Sequence, residues 1–144
     1  MAPVYTRYRA DMAAGYSGTP LSQKLGISAG GRVAVLAAPP RFELGPLPDG
    51  VRPVRRLPDA ADVVLFFAPD YAALAQRWDA LARAVFPAGG LWVAWPKRAA
   101  GVPTDLTEDV IRDHALARRL VDNKVCAIDE VWSGLRLVWR KEHR

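Results

Sequence analysis

The stretch Phe86 to Arg112, FPAGGLWVAWPKRAAGVPTDLTEDVIR, decides how this chain folds. It reads as a helix end, a Pro-Ala-Gly-Gly turn, an apolar strand Leu91–Trp95, a loop carrying Lys97 and Arg98, and a capped helix. Leu91, Val93 and Trp95 fall on one strand face and Trp92 and Ala94 on the other, so both faces are apolar and the strand is central to its sheet. Ligands of open α/β sheets bind beyond the carboxyl ends of the strands, which directs attention to Trp95 through Asp109.

Working outward, two more strands of the same kind precede it. Arg32–Ala38 (RVAVLAA) and Asp62–Ala68 (DVVLFFA) are continuous apolar runs stopped by prolines. Runs of this length and composition predict strands buried on both faces. Between them, VRPVRRL (51–57) alternates apolar and basic residues around Pro53, the pattern of a short edge strand. After the second strand, Asp70 is placed to cap a helix from Tyr71 to Phe86. Leu74, Trp78, Leu81, Ala82 and Val85 form its single apolar stripe. Beyond Trp95, Thr104 or Asp105 is the expected cap of the next helix, with Glu108 completing a capping box for Asp105. Leu106, Val110 and Ala117 should line its buried face, with Ile111 beside it and His114 on that face or its border. VCAIDEVW and LRLVWRK then read as two strands joined at Ser133-Gly134. The whole predicts one α/β domain over 1–144: a three-layer Rossmann-like sheet, mainly parallel, with a C-terminal antiparallel hairpin. Residues 1–14 are expected to form a surface arm.

With 144 residues, 51% hydrophobic and 24% charged, the chain has the composition of a globular domain with a real core. The one cysteine excludes an internal disulfide and suits a reducing compartment. No signal-like apolar core opens the sequence, and Val63–Ala68 is too short to span a bilayer. A cytoplasmic location without membrane attachment is expected. The net charge of +5 is spread over pairs such as Arg55-Arg56, Lys97-Arg98 and Arg118-Arg119 with no interleaved aromatic platform. That dispersal argues against a nucleic-acid partner.

Candidate chemistry is sparse. GYSGTPL (15–21) either turns the chain and caps a short helix from Thr19, or offers the hydroxyls of Tyr16, Ser17 and Thr19 to a ligand on a glycine-flexible loop. Trp95, Lys97, Thr104 and Asp105 are the other candidate ligand contacts, since they converge beside a central strand. An anion at Lys97-Arg98 would have to compete with Asp105, Glu108 and Asp109, which already supply negative charge to the helix start. One cysteine and two distant histidines provide no metal set, and no serine stands in a nucleophile-elbow context. The first strand is followed by APPRFELGPLP, whose two prolines offer no amide donors, so the usual nucleotide loop and its cofactor are not expected.

From Gly30 to Lys141 the element order resembles a shortened S-adenosylmethionine-dependent methyltransferase fold, though without that family's glycine-rich loop or the acidic end of its second strand. More closely, GYSGTPL, WPK, TDLTEDVIR and VWSGL are similar to the defining segments of an uncharacterised bacterial family, a domain of unknown function. That second resemblance implies no reaction. The expectation is therefore a non-catalytic module binding a small molecule or a protein, its site joining GYSGT, WPK and PTDLTED. The alternative is a small methyltransferase with an atypical cofactor loop.

Overall fold

A computed structural model describes residues 18–144. Elements run α1 (Leu21–Lys24), β1 (Val33–Leu36), β2 (Val63–Phe67), α2 (Tyr71–Ala84), β3 (Gly90–Pro96), α3 (Glu108–Leu116), β4 (Leu120–Ala127) and β5 (Trp132–Trp139). The strands form one sheet in the order β1-β2-β3-β5-β4. β1 pairs parallel with β2, and β2 with β3, while β5 runs antiparallel to both β3 and β4. Val54 adds a single parallel bridge to Ala34 outside β1, all that forms of the edge strand read in 51–57. The predicted arm at 1–14 lies outside the described residues.

The three-layer, mainly parallel Rossmann-like expectation is overturned. Half of the described strand pairings are antiparallel, and only α2 and α3 form a helical layer. Both pack on one face, where Leu74, Trp78, Leu81, Ile111 and Ala115 meet Val64, Phe66, Leu91, Val93 and Trp95. The opposite face, with Val63, Leu65, Phe67, Trp92 and Ala94, is covered by the four-residue α1 and by loop residues such as Ile27, Val51, Phe42 and Leu44. Apolarity on both sides of a strand requires cover on both sides, but it does not require that cover to be helix.

α2 begins as its sequence predicts: the Asp70 side chain accepts from the Ala73 N–H, and Leu74, Trp78, Leu81 and Ala82 are buried. Its end is sharp because Gly89 passes close to the loop before β2, where a Cβ would stand 2.5 Å from the Ala61 carbonyl oxygen. α3 departs from expectation. Its cap is Thr107, whose Oγ1 accepts from the Val110 N–H; Ile111, His114 and Ala115 are buried, Val110 packs partly buried against the core, and Ala117 is exposed.

The β4–β5 connection also differs. Ser133 and Gly134 lie inside β5, opposite Trp95 and Ala94 on one side and Ala127 and Cys126 on the other. The turn sits at Asp129, whose Oδ1 accepts from both the Val131 and Trp132 N–H groups at 2.8 Å. An Asp side chain that mimics a backbone turn competes successfully with the Ser-Gly signal. Gly134 is there for closeness: a Cβ would lie 2.9 Å from Ile128 Cδ1 and 3.2 Å from Trp92 Cε3.

Candidate functional site

Lys97, Thr104 and Asp105 each hold two parts of the chain together. The Lys97 ammonium donates to the Asp129 carbonyl at 2.8 Å, and its backbone N–H donates to the Val131 carbonyl. Lys97 thus ties the end of β3 to the β4–β5 turn. Thr104 Oγ1 donates to the Pro69 carbonyl at 2.7 Å and accepts from the Leu106 N–H. Asp105 Oδ1 accepts from the Tyr71 N–H at 2.8 Å. Asp105 therefore serves the start of α2 rather than its own helix, beside the Asp70 cap. Thr104 and Asp105 together dock the β3–α3 loop on the carboxyl end of β2. Glu108 and Asp109 both pair with Arg112, which also reaches Asp122 on β4 at 3.0 Å. The bond to Asp122, then that to Glu108, raises the guanidinium's pKa further.

Trp95 is buried under the helical layer at 7% exposure and presents no face to a ligand. Thr19 is half-buried just before Pro20, which itself occupies the N-cap position of α1. Tyr16 and Ser17 lie outside the described residues. Among the described residues no group of three His, Cys, Asp or Glu side chains is placed to hold a metal ion. No helix among them is long and apolar enough to cross a membrane.

A concavity lies one strand further along the same rim, where the sequence reading saw only a missing nucleotide loop. β1 ends at Leu36, and Ala37 to Arg41 turn sharply away, with Ala37 at φ +58° and Arg41 at φ +69°. Left-handed backbone costs roughly 1–2 kcal/mol per non-glycine residue, so the turn is held by its surroundings. Pro39 and Pro40 fix their own φ, and the Phe42 N–H closes on the Pro39 carbonyl at 3.2 Å. The resulting cleft has a volume of about 750 Å³, within the usual range for small-molecule sites. Pro39, Phe42, Leu44 and Val54 supply apolar walls, and Arg41 and Arg55 supply charge against a single carboxylate, Glu43. Both arginines are exposed and, among the described residues, have no ion-pair partner.

An aromatic row links this cleft to the Lys97 side of the rim. Phe42 meets Phe67 edge to face with ring centroids 4.9 Å apart, and Phe67 meets Trp132 in the same way at 5.1 Å. Trp132 pairs with Pro96, directly before Lys97. Sequence reasoning missed the cleft because its signal is conformational: nothing in APPRF announces two non-glycine residues with positive φ. A search against protein-family models and against curated proteins returned no match to this chain.

Proposed function

We propose that this chain is a non-catalytic binding module whose site is the cleft at the carboxyl end of β1. The observation that carries the reading is the Ala37–Arg41 turn, which shapes a concave wall of mixed polar and apolar character with two unpaired guanidinium groups beside it. A preorganised wall lowers the ordering cost of binding, and strained backbone tends to gather at such sites. The chemistry fits a small molecule with an apolar body and an anionic group. Prolines at 39 and 40 give no N–H to a pyrophosphate or a nucleoside, so the cleft suits neither nucleotide phosphates nor S-adenosylmethionine.

The half-buried Cys126 thiol has its pKa pushed up, first by burial, which disfavours the reactive thiolate. A lone thiol accords with a cytoplasmic setting.

The test is native mass spectrometry of the purified protein, paired with the Ala38→Trp variant. Ala38 is exposed and lines the cleft, so an indole there fills space without disturbing the core. A retained small molecule, lost in Ala38→Trp while the ligand-free forms of both proteins melt at the same temperature, is the expected result. Retention that survives the substitution would place the ligand elsewhere.

A further inference from the structure

Arginines that are scattered along the sequence meet in an open groove of about 520 Å³ between the C-terminal ends of α2 and α3. Arg83, Arg118 and Arg119 line it together with one carboxylate, Asp79. Its apolar wall includes Phe86 and Trp139, whose rings meet edge to face with centroids 5.1 Å apart. Phe86 is 46% exposed, a large apolar side chain left in water in a groove that three arginines also line.

Balancing the negative ends of the two helices accounts for part of this charge. Arg118 fits that role, since its guanidinium donates to the His114 carbonyl at 3.0 Å. Arg119 does not. It lies two residues beyond the C-cap of α3 at φ +79°, a backbone conformation that favours glycine. Its carbonyl accepts from the Arg140 N–H at 3.0 Å, which anchors the left-handed turn to the end of β5. Among the described residues neither Arg83 nor Arg119 has an ion-pair partner. An arginine kept where glycine would relieve strain, unpaired and beside an exposed aromatic ring, points outward to a partner.

We propose that this groove docks an acidic peptide segment of a partner protein, its carboxylates on Arg83 and Arg119 and an apolar side chain against Phe86 and Trp139. Charge complementarity sets the sign, with three guanidinium groups facing one carboxylate. Two features favour a peptide over single-stranded nucleic acid. Asp79 in the lining repels a continuous phosphate backbone, and edge-to-face rings do not offer the parallel faces on which successive bases stack. This inference is independent of the cleft beside β1 and stands or falls apart from it.

The experiment is fluorescence anisotropy with a labelled short peptide of alternating glutamate and leucine. It is run against the wild type, Arg119→Gly, Arg83→Ala and the double variant. The same peptide with lysine for glutamate and a labelled oligothymidylate serve as controls. The acidic peptide is expected to bind, more weakly as salt rises. Each single substitution should weaken binding about three- to fivefold, and the double about tenfold or more. Arg119→Gly should do so at an unchanged or higher melting temperature, because glycine accepts the left-handed backbone. Arg83→Ala supplies the same readout from a regular helix position. The proposal is overturned if the acidic peptide does not bind, if the lysine control binds equally, if oligothymidylate binds more tightly, or if neither arginine variant changes the affinity.

Discussion

Gly134 has backbone neighbours on both sides and side chains above it, with Ile128 and Trp92 filling the space where a Cβ would point. Trp92 is fully buried and its indole N–H donates to the Leu25 carbonyl at 3.0 Å, so that ring has no room to retreat. Gly134→Ala should therefore destabilise by about 1–3 kcal/mol through overpacking. Chemical denaturation measures it, and a neutral result would mean that Ile128 alone absorbs the methyl. His114 makes a second single-residue argument. It is buried, its Nδ1 is 2.9 Å from the Tyr71 hydroxyl, and its Nε2 has no hydrogen-bond partner. Its ring meets Trp78 edge to face at 4.6 Å. Burial, and then the Arg118 charge, push its pKa below the ordinary 6.5, with Asp79 opposing. The neutral ring is thus the native form. As pH falls below 6.5 the unfolded chain takes up the proton first, so stability present above that value drains away until the folded pKa is reached. Between about pH 7.5 and about pH 5.5 the wild type should lose more melting temperature than His114→Phe. Equal losses in the two proteins would show that the proton goes elsewhere.

At the scale of elements, α3 shows what can and cannot be seen in PTDLTEDVIRDHALARRL. Three side chains there have N-capping chemistry: Thr104, Asp105 and Thr107. Only Thr107 caps α3. Thr104 and Asp105 are turned outward to Pro69 and Tyr71 at the start of α2, which no local spacing reveals. Thr107→Ala should cost about 1 kcal/mol and Thr107→Ser almost nothing. Amide exchange should show protection lost at Val110 in the alanine variant alone; loss without such a change would point to a different cap. The apolar runs behaved differently, because their partners are many and their information is redundant. Val33–Leu36, Val63–Phe67 and Gly90–Pro96 are strands side by side, in parallel register. The β4–β5 turn failed as a reading for the same reason as the cap. A two-residue signal at Ser133-Gly134 was outweighed by the Asp129 side chain and by the need for a bare Cα beneath Trp92.

At the scale of the whole molecule, the sheet is asymmetric, with helices on one face and loop segments with a single helical turn on the other. Alternating or continuous apolarity measures how much of a strand is hidden and carries no record of what hides it. The helix between β1 and β2 that a doubly wound sheet would require is replaced by 26 residues of turn and loop, from Ala37 to Asp62. That segment carries the cleft, and it bears on cofactor chemistry. A nucleoside cofactor at the end of β1 needs backbone N–H groups pointing into the space it occupies. Here Pro39 and Pro40 have none, and the Phe42 N–H is already given to the Pro39 carbonyl. Millimolar S-adenosylmethionine or S-adenosylhomocysteine should therefore leave the thermal melt unchanged. If either bound at a hundredfold above its Kd, linkage would add about 2.7 kcal/mol. In a domain of this size that stabilisation would raise the melting temperature by several degrees, roughly 4 °C or more. Calorimetry at the same concentrations guards against a silent binder. A saturable shift with either compound would put methyl transfer ahead of the non-catalytic reading. A flat melt, together with a different small molecule retained in wild type and lost in Ala38→Trp, would leave the turn after β1 as the recognition element.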